Sequence, residues 1–345
     1  MPAHPRLRAL TGRGLELLGC EVAVMCGAMS WVSERHLVSA ISNAGGFGVI
    51  ACGAMTPDLL RAEIEATAAL TKKPFGVNLI VMHPELDALV DVCLEHEIGH
   101  IVLAGGLPPR GLPQRIREAG RKVIAFAPNL AIGRRLARSG MDALVIEGME
   151  AGGHIGPVST SVLAQEILPE IGDVPVIVAG GIGHGEAVAA YAAMGAAAVQ
   201  MGTAFVCAEE SIAHENFKRA FIRASARDAV TSVQIDPDFK VIPVRALANA
   251  ATETFARTQR MVIERFRRGE TSQEEASLAI EHFWAGALRR AVIDGDVENG
   301  SLMAGQSVGF VREIKPAAAI IADIVTRAET ALERIQNPPP VDRDR

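Results

Sequence analysis

The chain has few of the features that mark secreted, metal-binding or nucleic-acid-binding proteins. Its five cysteines are scattered, odd in number and contain no C-x-x-C pair, which argues against a disulfide framework or a structural zinc and predicts a reducing, cytoplasmic location. The net charge is −6 and no basic stripe appears, so nucleic acid is not an expected partner. No apolar run approaches the roughly 18 residues of a membrane span, and the N-terminus has no apolar signal core.

Aromatic residues are also scarce, at 4% of a 345-residue chain, whereas hydrophobic residues reach 49% and glycines number 33. This balance excludes a disordered or fibrous chain. Short runs of Ala, Val, Ile and Leu with few aromatics are typical of parallel strands that helices cover on both sides. The composition therefore predicts an α/β protein with a large buried core.

Short apolar segments alternate with helix-like segments over the first two thirds of the chain. The predicted strands are 22–26, 47–51, 75–81, 100–104, 122–126, 143–146, 174–179 and 196–201. Eight strand–helix units by about residue 225 predict a (β/α)8 TIM barrel. An open doubly wound sheet is the alternative, and the absence of a G-x-G-x-x-G motif after the first strand counts against it.

The remaining chain predicts three further segments after a barrel over 1–225. A mainly helical lid is expected over 226–299, with helical sequence from 246 to about 291 and a break at 267–275. Residues 300–336 are expected to return to the barrel and end in a helix over 316–335. The tail 337–345 contains three consecutive prolines and is predicted to be disordered. Within the barrel, one short helix is expected in 1–20, and Ser33 is predicted to cap a helix that runs to Asn43.

The last two predicted barrel strands each end in a glycine step, Gly180-Gly181 and Gly202-Thr203. Each step is predicted to open a helix N-terminus, where bare backbone N–H groups point at an anion and glycine allows its close approach. In a barrel of this type, that pair of loops is where a phosphate binds. The sequence therefore predicts a phosphate-bearing cofactor at this face.

His154 follows the strand 143–146 within the glycine-rich stretch Gly152-Gly153-His154-Ile155-Gly156. It is a titratable group at the carboxyl edge of the barrel, on a loop without bulky neighbours. We interpret it as an acid/base group that meets the cofactor at the same face. Glu147 and Glu150 flank the loop, and either one is a candidate to orient the imidazole.

Several cofactors are compatible with a phosphate site and a histidine, and the residues narrow the choice. No strand end carries an obvious Schiff-base lysine, which argues against pyridoxal phosphate. No His/Asp/Glu cluster lies on successive strands, so a metal is not expected. FMN fits better, because small residues such as Ala28, Gly152 and Gly153 would let its flat ring cross the barrel mouth.

Six motifs together resemble the nitronate monooxygenase family, formerly 2-nitropropane dioxygenases, which includes the FMN-dependent enoyl-acyl-carrier-protein reductase II. They are NAGGFGVI, PFGVNL, EGMEAGGHIG, VPVIVAGGI, MGAAAVQMGTAF and GDVENGSLMAGQ. The resemblance covers about residues 20–330 and implies an FMN-binding barrel with a small helical lid.

The resemblance implies a catalytic role for His154. It also implies a cofactor-binding set of Ala28, Met29, Ser30, Asn78, Gly152, Gly153, Ala179, Gly180, Gly181, Ile182, Met201, Gly202 and Thr203. The chain departs from the family pattern in two places. In the first, Cys26-Gly27 stands where the family commonly has Gln-Gly, so the chain lacks a side-chain amide that could hydrogen-bond the flavin or the substrate. In the second, His184-Gly185 stands where Asp-Gly is common. His184 is interpreted as a helix-start residue, and Cys26 as a buried filler whose role the pattern leaves open.

The sequence is compatible with three functions. The family resemblance favours oxidation of alkyl nitronates with O2 to a carbonyl compound and nitrite. The alternative is an NADH- or NADPH-dependent FMN reductase that acts on an enoyl thioester or a quinone, and a non-catalytic flavin binder ranks last. The expected partner is a small molecule, with a homodimer left open. A basic patch for an acidic carrier protein would have to come from Arg219, Arg223, Arg227, Arg265, Arg267 and Arg268.

Overall fold

The computed structural model describes residues 4–236, 238–239 and 241–337, and in them eight parallel strands form one closed sheet. The barrel strands are β1 (Val24–Cys26), β2 (Gly48–Ala51), β3 (Phe75–Ile80), β4 (His100–Ala104), β5 (Lys122–Phe126), β6 (Ala143–Glu147), β8 (Val176–Ala179) and β9 (Ala198–Met201). Their order is β1-β9-β8-β6-β5-β4-β3-β2. Phe47 closes the ring, because its N–H donates to Val24 and its carbonyl accepts from Cys26, both at 2.9 Å. The predicted TIM barrel is confirmed.

A second, smaller sheet is built from β7 (Gly153–His154), β10 (Ala229–Thr231) and β11 (Val244–Leu247). β11 runs antiparallel to β7 and pairs Val244 with His154 and Arg245 with Gly153. The histidine loop is therefore held by chain that lies about 90 residues further on. The prediction of helix from residue 246 is wrong at its start, because Ala246 and Leu247 belong to β11.

The helices surround the barrel and cover its mouth. They are α1 (Pro5–Leu10), α2 (Gly12–Leu18), α3 (Arg35–Asn43), α4 (Pro57–Leu70), α5 (Leu86–Glu95), α6 (Leu112–Glu118), α7 (Leu130–Arg138), α8 (Thr160–Ile167), α9 (Gly185–Ala193), α10 (Thr203–Val206), α11 (Glu215–Arg223), α12 (Ala250–Arg267), α13 (Gln273–Val292) and α14 (Ala317–Gln336). Short 3-10 turns lie at Ala226–Asp228 and Gln306–Phe310. The predicted break between α12 and α13 is confirmed. The predicted tail, apart from Asn337, lies outside the described residues.

The amino end of the barrel is plugged by α2. Leu17 and Leu18 pack inside the barrel with Met25 and Phe47. The buried His100, at the start of β4 as predicted, bonds the Leu17 carbonyl through Nε2 at 2.7 Å. The sequence predicted one short helix in this stretch, but the structure has two, α1 and α2, which separate at Thr11.

The cap of α3 also differs from the prediction. Glu34, not Ser33, accepts the N–H bonds of His36 and Leu37. Ser33 instead folds the loop after β1, where its hydroxyl donates to the Gly27 carbonyl at 2.9 Å and accepts from the Met29 N–H at 3.0 Å. This loop forms one side of the barrel mouth, so the hydroxyl shapes the mouth rather than the helix.

We call β10, β11, α12 and α13 the lid. It has a separate hydrophobic cluster around Phe255, Ile280 and Trp284. In that cluster Phe255 stacks on Trp284 with ring centroids 4.1 Å apart. The division of the chain into 1–225, 226–299 and 300–336 stays a prediction, although the lid elements all fall inside the second range.

Candidate active site

The candidate residues all lie at one end of the barrel, because parallel strands present their carboxyl ends at one rim. Ala28, Met29 and Ser30 follow β1, and Ala179, Gly180, Gly181 and Ile182 lie at and after β8. Met201, Gly202 and Thr203 lie at and after β9, and Gly152, Gly153 and His154 lie beyond β6. Asn78 lies within β3, where it is buried and its side-chain amide donates to the Val102 carbonyl at 3.0 Å. The set converges, while the role of each residue stays a prediction.

The loop after β8 is an open turn rather than a helix start. Gly180 and Gly181 have φ of +96° and +70°, values that a right-handed helix does not allow and that favour glycine. The helix α9 therefore begins later, at Gly185, with His184 in the N-cap position. The prediction that Gly180-Gly181 opens the helix is wrong, and the assignment of His184 as a helix-start residue is confirmed.

The step after β9 agrees with its prediction, since Gly202 is the N-cap of α10, although α10 has only four residues. A Cβ on Gly202 would stand 3.3 Å from the Met29 sulfur, so the glycine lets the β1 loop approach the end of β9. The Thr203 hydroxyl accepts a hydrogen bond from the N–H of Gly305, about 100 residues further along the chain, at 3.0 Å. The loop after β8 lies beside this contact, because β8 pairs with β9. We call the loops at Gly180-Gly181 and at Gly202, together with Met29, the cradle.

The segment Met303–Gln306 closes this cradle and is absent from the predicted site. A Cβ on Gly152 would stand 2.6 Å from the backbone of Ala304 and Gly305. The Met303 sulfur lies 3.6 Å from the corresponding point at Gly153. The Gln306 N–H donates to the Glu150 carbonyl at 2.9 Å. Gly152 is therefore needed for contact with the C-terminal segment, whereas Gly153 is favoured by its φ of +78°.

Gln200 is a second residue that the sequence reasoning missed. It is a buried polar side chain on β9, and its amide nitrogen lies 3.5 Å from where a Cβ of Gly27 would stand. The chain lacks the family's glutamine before Gly27, and the Gln200 amide lies beside the same loop. Cys26, at the lost position, is fully buried, and burial raises the pKa of its thiol to about 12. It is a packing residue, because the reactive form of cysteine is the thiolate.

His154 stands at the rim under the lid. Its Nε2 lies 3.2 and 3.1 Å from the two carboxylate oxygens of Glu281, which belongs to α13. Glu150, which the sequence offered as an orienting group, is engaged elsewhere. Its carboxylate accepts from both the N–H and the hydroxyl of Thr160 at 2.9 Å. The acid that contacts the imidazole thus comes from 127 residues further along the chain.

Glu147, at the end of β6, is the other carboxyl near the histidine. Burial raises its pKa from 4.5 to about 7, and the nearby His154 opposes that shift. A carboxyl that titrates near neutrality at a barrel mouth is a candidate proton-transfer group.

Glu147 lies on the wall of a cavity of about 310 Å³ at the ends of β5 and β6. Most of the other walls are apolar and include Leu107, Phe126, Ile132, Val145, Val158 and Leu163. The loop that follows His154 contributes Gly156 and Pro157. This end of the barrel therefore brings together the glycine loops, His154, Glu147 and an apolar slot.

The residues present fit a flavin phosphate on geometric grounds. The cradle is lined by glycine backbone at Gly180, Gly181 and Gly202, positions where side chains would meet Gly148, Glu150 or Met29. Among the described residues, no cluster of His, Cys, Asp and Glu could hold a metal ion. Within the same part of the chain, no helix is long and apolar enough to cross a membrane.

Comparison with known proteins gives consistent similarities. The sequence profile of the nitronate monooxygenase family matches residues 13–91 and 85–327. The chain is 31% identical over 347 residues, 92% of this chain and 96% of the relative, to a Mycobacterium tuberculosis (3aS,4S,5R,7aS)-5-hydroxy-7a-methyl-1-oxo-octahydro-1H-indene-4-carboxyl-CoA dehydrogenase. It is 29% identical to the nitronate monooxygenase of Paraburkholderia phytofirmans, over 93% of this chain and 96% of the relative. Among solved structures, FabK from Thermotoga maritima has a TM-score of 0.83 and 38% identity, and the match covers 94% of this chain and 98% of FabK.

Proposed function

Because the chain belongs to the nitronate monooxygenase family and is an oxidoreductase of that family of flavoenzymes, we propose that it binds FMN and reduces the activated double bond of an acyl thioester at the expense of NADH or NADPH. In this reaction NAD(P)H is oxidised, and the carbon–carbon double bond gains a hydride and a proton. The nitronate activity that the family resemblance favours becomes the second candidate.

The apolar slot beside Glu147 carries this proposal. Its volume of about 310 Å³ and its walls from Phe126, Ile132 and Leu163 suit an extended or ring-containing carbon skeleton. A short nitronate would leave most of the slot empty. The CoA-ester dehydrogenase of M. tuberculosis supports the same class of substrate, because its name describes a bicyclic carbon skeleton joined to CoA.

The chain's own groups supply binding and proton transfer. The cradle at Gly180, Gly181 and Gly202 is proposed to hold the FMN phosphate. A bound flavin supplies two-electron hydride transfer. His154 is placed to hold or donate the proton, since histidine is the side chain that most often transfers protons in catalysis. Glu147 offers a second proton store on the wall of the slot.

The surface charges do not provide a strong basic patch for an acidic carrier protein. Of the six arginines that could form a basic patch, five face a carboxylate within 4.0 Å. The pairs are Arg219–Glu215, Arg227–Asp228, Arg265–Glu270, Arg267–Asp236 and Arg268–Glu270. A paired arginine offers less net positive charge to an acidic partner.

Nitronate oxidation is kept as the second candidate because of the 29% identical nitronate monooxygenase of P. phytofirmans. The proposal also includes a cytoplasmic location, which the five free thiols support, and a homodimer as the assembly to be tested by light scattering. The boundaries of the lid, at 226 and 299, are part of the same proposal.

The test is an anaerobic reduction assay on the purified holoenzyme, followed at the flavin absorbance near about 450 nm. The proposal predicts that NADH or NADPH bleaches the flavin and that a 2-enoyl-CoA restores its colour without oxygen. Bleaching by propyl nitronate with recovery in air, and no response to NADH or NADPH, would overturn it and establish the second candidate. A preparation that contains no flavin and binds none would contradict both.

A further inference from the structure

Besides the pairing of β11 with β7, the lid reaches the barrel mouth through side chains of the helix α13. Glu281 contacts His154, and two turns later the Arg289 guanidinium lies 5.8 Å from the centroid of the Trp31 ring on the β1 loop. Eight residues of helix span about 12 Å. Between the two contacts, Ala285 and Gly286 are exposed, and a Cβ on Gly286 would meet nothing within 4 Å. The helix therefore contacts the barrel mouth at two points, Glu281 and Arg289.

The Glu281 side chain itself takes no part in the hydrophobic packing of α13. The buried side of the helix packs in the lid's own cluster through Ile280 and Trp284, and in the barrel's cluster through Leu288, Ala291 and Val292. Glu281 and His154 keep 39% and 42% of their side-chain surface exposed. An ion pair this exposed adds at most about 1 kcal/mol to the free energy of unfolding. The contact therefore contributes little to the stability of the fold.

Its chemical consequence is larger, because it selects one form of the imidazole. An ionised carboxylate only accepts hydrogen bonds, so the atom that faces it must carry a proton. At His154 that atom is Nε2, at 3.1–3.2 Å from Glu281. When the ring is neutral, the other nitrogen, Nδ1, is then bare and able to accept a proton.

We propose that Glu281 is a positioning residue, which fixes the Nε2–H tautomer of His154 and leaves Nδ1 as the nitrogen that exchanges protons with the substrate. The lid thereby completes the proton-transfer group of the barrel when α13 lies across the mouth. This inference rests on the proposed function for its link to turnover, but the tautomer itself exists whether or not that function is correct.

The test uses two substitutions at Glu281 and one matched control. Glu281→Leu removes the acceptor, whereas Glu281→Gln keeps an amide oxygen that can still accept from Nε2. Glu274→Gln changes an exposed carboxylate in the first turn of the same helix, away from His154. Nitrogen-15 NMR of the histidine rings reads the tautomer directly, with His154→Gln used to assign the signal.

The expected result is a dominant Nε2–H tautomer of His154 in the native protein and in Glu274→Gln. In Glu281→Leu the ring becomes a mixture of tautomers, and kcat falls by about tenfold with KM changed less than about twofold. Glu281→Gln recovers most of both properties. A His154 tautomer that stays the same in Glu281→Leu overturns the proposal, even if the enzyme is active.

The two proposals fail in different ways. If neither NAD(P)H nor a nitronate reduces the flavin but the tautomer responds to Glu281→Leu, the function is wrong and the positioning contact stands. If the tautomer responds but kcat with the active substrate does not, the claim that Glu281 serves turnover is overturned.

Discussion

The barrel and the lid build their parts of the site in different ways. The barrel contributes backbone: glycine loops after β8 and β9, and close approaches such as Gly152 to Gly305. The lid contributes side chains, Glu281 and Arg289, that project from α13, whose first half packs in the lid's aromatic cluster and whose second half packs against the barrel. The barrel is thus suited to hold a cofactor at a fixed place, and the lid to adjust a proton-transfer group and the space above it.

The largest expected effect tests the barrel side of this comparison. Replacement His154→Gln removes the proton-transfer group while the cradle is left unchanged, so kcat should fall by about 100-fold or more and FMN binding should persist. Steady-state kinetics and flavin content measure the two properties. His282→Gln, at an exposed site on α13, is the control and should leave both unchanged. A kcat within about threefold of the native value would exclude His154 as the proton-transfer group.

The next effect separates the stability of the lid from that of the barrel. Phe255→Ala opens a cavity in the lid cluster beside Trp284, which typically costs about 3–5 kcal/mol. We expect faster amide hydrogen exchange in α12 and the first half of α13 with the barrel strands still protected, because Ile280 and Trp284 pack in the lid cluster, whereas Leu288, Ala291 and Val292 pack with the barrel. Equal loss of protection in the lid and in the barrel would show that the two regions unfold together.

A smaller effect concerns pH and Glu147. Its folded-state pKa of about 7 lies above 4.5, so the folded apoprotein binds this proton more tightly than the unfolded chain does. The free energy of unfolding should therefore fall as pH rises between these values, by at most about 3 kcal/mol. Glu147→Gln removes this loss, and its advantage in melting temperature over the native protein should grow from pH 5 to pH 8. Glu166→Gln, at an exposed position on α8, should show no such growth, and an equal trend in both variants would contradict the assignment.

The smallest effect is expected at the second lid contact. Arg289→Met removes the guanidinium from the Trp31 ring and keeps a flexible apolar side chain. An exposed cation–π contact is worth about 0.5–1 kcal/mol, so KM should rise by about two- to fivefold with kcat unchanged. Arg290→Met, at the next position of the same helix, serves as the control. A change in kcat equal to that in KM would mean that Arg289 acts on chemistry rather than on lid position.

The same contrast explains what could be predicted from the sequence. Barrel strands such as His100–Ala104 and Lys122–Phe126 have the predicted bounds, because their apolar runs are short and their ends carry turn residues. The sequence also places the cradle glycines at the carboxyl rim, because they directly follow strands, while their role stays a prediction. The sequence does not indicate the contact of Glu281 with His154, because the two residues are 127 positions apart. A glutamate at this helix position is also typical of an ordinary solvent-exposed face.

Three details of the structure differ from the prediction or are missing from it, and each difference has a cause in the local sequence. The sequence misassigns the Gly180-Gly181 step as a helix N-terminus because a Gly-Gly step can open a helix or form a left-handed turn, and only the φ values of the two glycines decide between them. Ser33 was assigned as a cap because serine is a common cap residue, but the neighbouring Glu34 also offers an acceptor and takes that role. Gln200 was overlooked because a single glutamine in an apolar strand carries no motif.

The central claim, that the barrel holds an FMN phosphate in the glycine cradle, is tested most directly by the affinity for flavin. Gly202→Ala adds one methyl group that meets only the flexible Met29 side chain, at a residue with φ of −113° that alanine can adopt. The control, Gly99→Ala, adds a methyl group at the amino end of the barrel, where no other atom lies within 4 Å of it. Fluorescence titration of the apoproteins should give an FMN dissociation constant at least about tenfold weaker for Gly202→Ala, equivalent to about 1.4 kcal/mol, and an unchanged value for Gly99→Ala. Equal affinities in the two variants, both folded, would contradict the placement of the cofactor.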